Sequence, residues 1–319
     1  MYSYGIIEWL FFFYFYCFFG WCFESTYVSL AQRHLVNRGF LRGPFLPLYG
    51  TGAIMMLVVS APFQGNVPMI YLAGCVGATA LEYVTGVAME ALFKVRYWDY
   101  SKQKFQFQGH ICLSSTLAWG LLTIFMTQWL HEKVEAVASF ISRPWMEGIV
   151  LVVTVILAVD FTLSFKAAMD LRDILVKMEQ AREELQRISK RLDVIIAVAE
   201  QQKSEIKENV GEYREHVRGS INGHTENLRL GIAELKENIE DRLERLKVVS
   251  AKRPTKYLDG MRDEIAELRY KYRVNLDRRE HLSRIRDFYQ KNLMKAFPGM
   301  TSERFKEALE ELREKLNNK

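Results

Sequence analysis

Residues 6–28 read Ile6-Ile7-Glu8-Trp9-Leu10-Phe11-Phe12-Phe13-Tyr14-Phe15-Tyr16-Cys17-Phe18-Phe19-Gly20-Trp21-Cys22-Phe23-Glu24-Ser25-Thr26-Tyr27-Val28. A membrane-spanning helix needs roughly 20 mostly apolar residues at about 1.5 Å rise each, and this stretch supplies them with two formal charges. No basic region precedes it, no small-residue cleavage site follows, and it ends in large aromatics, so it predicts a retained span rather than a signal peptide. Outward from it, four more stretches read as spans: 47–61, 68–92, 111–130 and 145–165. The second is short, and Pro62 closes it.

The charge distribution agrees with a membrane half and a soluble half. Up to Phe165 the chain carries 9 Lys+Arg and 9 Asp+Glu; the remaining 154 of its 319 residues carry 34 and 29, and with them the whole net charge of +5. That partition excludes a single globular domain, a secreted disulfide scaffold and a wholly disordered chain. The expected fold class is all-α: a polytopic five-span helix bundle (1–165), a long cytoplasmic coiled-coil helix (166–250) and a short C-terminal helical region (251–319).

Orientation follows from the basic residues. Arg33, Arg38 and Arg42 lie in loop 1, Lys94, Arg96, Lys102 and Lys104 in loop 3, and Lys166, Arg172 and Lys177 after the last span; the opposite loops hold Lys133 and Arg143. Positive charge resists translocation. The expectation is a multi-pass protein of the cell (inner) membrane, with its N-terminus outside and its C-terminus cytoplasmic. The four cysteines, Cys17, Cys22, Cys75 and Cys112, sit in or beside spans without a disulfide or C-x-x-C pattern and read as small buried hydrophobes.

Three carboxyl groups stand where hydrocarbon is expected: Glu24, Glu82 and Glu90. An ionisable group at a span centre costs at least roughly 2.5–3.5 kcal/mol and needs a partner or a purpose. Glu82 is the deepest and reads as the principal polar contact for a proton, cation or polar substrate. Glu24 and Glu90 fall near helix ends, where they either line a cytoplasmic mouth or pair with Arg38, Arg42, Lys94 or Arg96. Gly74, Ala78, Glu82, Gly86 and Glu90 recur at steps of four, so this stripe predicts a close helix–helix packing face with carboxyl groups embedded in it.

Loop 1 runs Asn37-Arg38-Gly39-Phe40-Leu41-Arg42-Gly43-Pro44-Phe45-Leu46-Pro47. Its glycines and prolines forbid regular helix before Pro47, and its free backbone amides beside Arg38 and Arg42 either accept a phosphate or carboxylate or form an interfacial turn against anionic headgroups. Loop 3, with Arg96-Tyr97-Trp98-Asp99-Tyr100 and the alternating Phe105-Gln106-Phe107-Gln108, predicts an interfacial hairpin. His110-x-Cys112 has no second cluster at ligand-like spacing, so no metal site is expected. One internal echo stands out. Gly20-x₃-Glu24 precedes Gly43 by 19 residues from the glutamate, and Gly86-x₃-Glu90 precedes Gly109 by the same interval, an offset of 66. A duplicated helical hairpin would place Glu24 and Glu90 in equivalent positions.

Gly20-Trp21-x-x-Glu24, Asn37-Arg38-Gly39-Phe40-Leu41-x-Gly43-Pro44-x-x-Pro47-x-Tyr49-Gly50, Glu82-Tyr83-x-Thr85-Gly86 and Arg96-x-Trp98-Asp99-Tyr100-Ser101 resemble the bacterial "putative ABC-transporter type IV" permease family, also called CmpB-like and similar to the vertebrate transmembrane protein 229 group. Gly109-His110-Ile111-Cys112-Leu113 and Trp119-Gly120 extend the resemblance, which covers roughly residues 5–140. It implies a multi-pass membrane domain and a transport label without an assigned substrate. The sequence has no G-x-x-x-x-G-K-[ST] phosphate loop, so transport would draw on a separate ATPase, an ion gradient or an oligomer.

Beyond residue 166, Leu171, Ile174, Met178, Ala181, Leu185, Ile188, Leu192, Ile195 and Ala199 alternate steps of three and four, a heptad seam that predicts a coiled coil and self-association through it. From Ile206 to Leu246 the apolar period lengthens to 11 residues, interrupted by Gly211, Gly219, Gly223 and Gly231, with His224 on the seam. Pro254 ends the rod, and Phe297-Pro298-Gly299 turns the chain before a last helix. Arg269-Tyr270-Lys271-Tyr272-Arg273 reads as a solvated helix face, and no nucleic-acid partner is expected.

The function expected from these readings is a transport-associated, permease-like or ligand-binding membrane component. Glu82 is its main contact, with Glu24, Glu90, Arg38, Arg42 and Asp99 around the mouth; the bilayer and a cytoplasmic or ATPase subunit are its partners, and no cofactor is named. Two other classes remain: a membrane-anchored scaffold or sensor, and an intramembrane lipid-acting enzyme using Asp99, Glu90 and His110 as acid/base groups.

Overall fold

The computed structural model describes residues 4–205, 231–251, 256–284 and 287–317. Among them the chain is helical almost throughout, in ten helices and one two-stranded hairpin. It divides into two compact units: Met1–Arg172 with Ile285–Arg304, and Asp173–Arg284 with Phe305–Lys319.

The first unit opens with α1 (Ile6–Gln32), which stops where Arg33 turns left-handed at φ 56°. Helix α2 (Pro47–Ser60) starts on the proline, whose missing N–H costs nothing at a helix N-terminus. Helix α3 (Val67–Phe93) is capped by Asn66, whose Oδ1 accepts from the Met69 N–H at 3.3 Å, and it ends at Lys94, φ 61°. Loop 3 carries the expected hairpin, β1 (Gln106–Phe107) antiparallel to β2 (Ile111–Cys112), with Gln106 opposite Cys112. Helix α4 (Leu113–Phe125) passes through a π-helical turn (Met126–Leu130) into α5 (His131–Ser139), and α6 (Arg143–Glu205) is continuous over 63 residues.

Among the described residues, three helical stretches, not five, are long and apolar enough to cross a membrane: Ile6–Ala31, Val67–Phe93 and part of Arg143–Val198. The two that fall short do so for separate reasons. At 14 residues, α2 reaches only about 21 Å against a hydrocarbon core of about 30 Å. The fourth stretch is interrupted by the π turn and runs into His131-Glu132-Lys133.

α1, α2, α3, the π turn, α5 and α6 share one apolar core, including Phe12, Tyr16, Leu57, Ala78, Met126, Val134 and Val150. Outward, Phe23, Leu30, Val76, Val84, Leu151, Val155 and Val159 are left exposed, a surface suited to lipid rather than water. Phe40 of loop 1 packs on Phe93 at the end of α3 (ring centroids 5.5 Å apart) and on Phe161 of α6 (6.3 Å), and Phe93 packs on Phe165 (5.3 Å). The C-terminal ends of α1 and α3 and the Phe161–Phe165 part of α6 therefore meet at one end of this unit, together with loops 1 and 3.

The second unit buries the heptad seam within the chain. Leu185, Ile188, Leu192 and Ile195 of α6 close against Leu235, Ile239, Leu243 and Leu246 of α7 (Ile232–Ala251) and against Ile265, Leu268 and Tyr272 of α8 (Lys256–Leu282). The part of the seam from Leu185 to Ile195, expected to draw in a second chain, packs against a helix pair from the same chain. Polar contacts flank the seam: Arg242–Asp193 at 2.8 Å and the Tyr272 hydroxyl on Glu240 at 2.9 Å. Lower down, Arg279 grips Glu311 of the last helix, α10 (Lys306–Asn317), at 2.8 Å and the Met178 carbonyl at 2.8 Å. Most of the 11-residue repeat, with His224 and three of its glycines, lies outside the described residues. Helix α9 (Phe288–Ala296) belongs to the first unit.

Candidate functional site

Glu82 is 6% exposed on the packing face of α3. The Tyr100 hydroxyl of loop 3 donates to its Oε1 at 3.0 Å, and the Trp119 indole N–H of α4 donates to Oε2 at 3.0 Å. Ser115 Oγ lies 3.2 Å from the same oxygen, but its single proton also faces the Cys112 carbonyl at 2.9 Å, so it is a shared third partner. The deep carboxyl group is thus answered by neutral donors, not by a cation. It fastens loop 3 and α4 onto α3. Burial and the neighbouring Glu82 hold the Tyr100 phenol above its ordinary pKa, keeping it a donor.

Glu24 and Glu90 each take an arginine from the following loop. Arg38 Nε is 3.3 Å from Glu24, and Arg96 Nε is 2.9 Å from Glu90. Each also takes a ring from the other side of its hairpin: the Tyr49 hydroxyl donates to Glu24 at 2.5 Å, and His110 Nε2 lies 3.1 Å from Glu90. The two glycines explain the parallel. A β-carbon at Gly20 would collide with the Tyr49 ring, and one at Gly86 would sit 2.9 Å from His110 Nδ1. Each glycine, one turn before its glutamate, opens the space through which that ring reaches the carboxyl group. The second helix of each hairpin starts 66 residues apart, at Pro47 and Leu113. The match ends there: α1 continues eight residues past Glu24, α3 only three past Glu90.

The free amides of loop 1 find a carboxylate inside the chain. Gly43 N–H donates to Asp160 Oδ2 of α6 at 2.7 Å. Loop 1 is also tied to its own helix, Trp21 Nε1 donating to Asn37 at 2.6 Å and the Arg38 N–H to Ser25 Oγ at 3.1 Å.

A segment distant in sequence closes over the same end. Arg38 reaches the Ala296 carbonyl and lies 4.7 Å above the Phe297 ring; Arg42 lies 4.2 Å above Phe288. Phe297 packs edge-on against Tyr97 at 4.8 Å. Arg96 and Thr301 pair as a short antiparallel bridge, N–H to carbonyl at 2.7 and 2.9 Å, and Ser302 Oγ donates to the Lys94 carbonyl at 2.9 Å. Asp99 accepts from the Ser101 N–H at 2.9 Å and from the Thr301 hydroxyl at 3.2 Å. Partial burial would raise the Asp99 pKa, but these donors and Arg96 outweigh it and hold the carboxyl below its ordinary value. Arg96 is pushed above its usual value, mainly by its hydrogen bond to Glu90.

Beside Arg96 an open cleft of about 570 Å³ remains. Glu90, Arg96, His110 and Glu303 line it with Gln106 and Gln108, and neither Glu82 nor Glu24 reaches it. Of the residues expected at one mouth, Glu90 lines the cleft and Asp99 borders it through Ser101. Glu24, Arg38 and Arg42 form a neighbouring cluster covered by residues 288–297, and Glu82 anchors the interior.

Residues 11–165 match the family described as "Putative ABC-transporter type IV". That region belongs to this family. Its apolar helices make the chain a membrane protein. No curated protein and no solved structure matches the chain. The family region contains every residue of the three carboxyl clusters, whereas the strap at 288–303 lies outside it. Tyr49, Tyr100 and Trp119 were not singled out as site residues from the sequence; each stands in a motif quoted for the resemblance, and that was the signal that marked them. Nothing in the sequence pairs Thr301 or Phe297 with loop 3.

Proposed function

We propose that this chain is a transport-associated membrane component without an ATPase of its own, whose cytoplasm-facing end takes a small polar ligand. The observation that carries the reading is the cleft beside Glu90, Arg96 and His110, at the end of the helix bundle where the basic loops gather. The positive-inside rule places that end in the cytoplasm and the N-terminus of α1 outside. Glu82 serves as the anchor that sets loop 3 against α3 and so shapes the cleft, rather than as the primary ligand contact. Since the sequence lacks a phosphate loop, ATP hydrolysis would come from a separate subunit.

Native mass spectrometry of the complex extracted in mild detergent tests this. The expected particle contains the chain with a nucleotide-hydrolysing subunit or a bound small polar solute. A particle of this chain and lipid alone would overturn the proposal.

A further inference from the structure

Resting on the reading of the cleft as a ligand site, we infer that it takes a small organic cation, an ammonium compound with hydrogen-bonding groups. The charge balance gives the sign. Arg96 already has three carboxylates around it: Glu90 at 2.9 Å, Asp99 at 3.9 Å and Glu303 at 4.0 Å. Of the charged groups that line the cleft itself, the carboxylates of Glu90 and Glu303 outnumber the one guanidinium of Arg96, and His110 Nε2 lies 3.1 Å from Glu90. Lys94, Lys102, Lys104 and Arg304 are near in sequence, but none of them lines the cleft. An entering anion would have to displace a carboxylate from Arg96, whereas an ammonium group meets unbalanced negative charge.

Size and lining give the class. About 570 Å³ lies within the range of small-molecule sites and is far larger than one metal ion with its oxygen shell. Gln106 and Gln108 offer amide groups for orientation, and Val87 and Ala91 offer an apolar wall for a short carbon chain. Glu303 is 91% exposed and belongs to the strap, not to the family region. A cation held between Glu303 and Glu90 therefore also fastens residues 301–303 to the C-terminal end of α3.

The test is thermal unfolding of the full chain in neutral detergent with putrescine, agmatine and choline, against succinate and inorganic phosphate at matched ionic strength. At least one ammonium compound is expected to raise the midpoint saturably, and Glu303→Gln to weaken its apparent affinity about fivefold, the effect of losing roughly 1 kcal/mol from an exposed charge. Because Glu303 is exposed, the variant keeps the fold. Hydrogen exchange at residues 299–304 should slow when the cation is bound. Stabilisation by the anions alone would overturn the cation assignment while leaving a polar-ligand site standing. Cation binding unaffected by Glu303→Gln would place the site elsewhere and also overturn it. No response to any of the compounds would remove both the assignment and the ligand reading of the cleft.

Discussion

The indole N–H of Trp119 meets Glu82 at 3.0 Å from a neighbouring helix, while Tyr100 reaches the other oxygen of the same carboxyl group from loop 3. One buried group thereby joins α3, α4 and loop 3. A buried polar group left without its partner costs about 1–3 kcal/mol. Trp119→Phe keeps most of the ring and removes the donor. It is expected to lower stability by about 2 kcal/mol in detergent unfolding and to speed hydrogen exchange in loop 3. An unchanged midpoint would mean that the contact does not hold the loop.

Gly86 and Gly20 set the other two clusters. Gly86→Ala places a β-carbon 2.9 Å from the buried His110 ring and forces it off Glu90. Crowding of this kind typically costs 1–3 kcal/mol. Gly52→Ala is the control: a β-carbon there meets nothing within 4 Å, and the gain in helix propensity approaches ~1 kcal/mol. The two variants should therefore move the unfolding midpoint in opposite directions. If both stabilise, the close approach is not limiting.

In the second unit, Ile239 is fully buried against α6. Ile239→Ala should cost about 2–5 kcal/mol there, the range for removing a large aliphatic side chain from a packed core. Hydrogen exchange resolved by region should show the loss in α7, α8 and the 185–195 part of α6, with α1–α4 unchanged. A loss appearing only as a change in oligomeric state would instead favour a seam that recruits a second chain.

How far the sequence reveals all this depends on the range of each interaction. The helical class, the stripe Gly74–Glu90 and the pairing of Glu24 and Glu90 with nearby arginines were legible because helical periodicity and the cost of a bare charge in hydrocarbon are local statements. The span count was not. Its two shortfalls, the 14-residue α2 and the π turn before His131, concern helix length and local winding, which an apolar average smooths over. The heptad seam was read correctly as apolar, but the pattern says only that a partner helix exists, not that α7 and α8 of the same chain provide it. The strap over Arg38 and Arg96 joins residues more than 200 positions apart, and no periodicity reports that.

Asp99 gives a pH expectation whose sign follows from its depressed value. A carboxyl group held below the ordinary 3.8 in the folded state contributes stability above that pH and loses it as pH falls through the folded value. Arg96 stays charged throughout. As far as Asp99 is concerned, docking of residues 299–303 on loop 3 should be indifferent to pH between 5 and 8 and should weaken only below about 3.8. Pulsed hydrogen exchange at Thr301, corrected for intrinsic rates, measures it. Release between pH 5 and 7 would assign the contact to another group.

Phe297 and Tyr97 separate packing from hydrogen bonding in the strap. The Phe297 ring lies under the Arg38 guanidinium and edge-on to Tyr97. A cation–π contact contributes about 0.5–2 kcal/mol, and an aromatic pair about 0.5–1.5 kcal/mol more. Phe297→Ala should therefore cost about 2 kcal/mol and make residues 288–303 accessible to limited proteolysis, without loosening the core around Phe12 and Leu57. The Tyr97 hydroxyl, 4% exposed with its ring, has no hydrogen-bond partner among the described residues. Tyr97→Phe removes a buried, unsatisfied oxygen and keeps both ring contacts, so it should leave the strap in place and raise stability by up to about 1 kcal/mol. If Tyr97→Phe released the strap as Phe297→Ala does, that hydroxyl would have to be engaged, and stacking alone would no longer account for the docking.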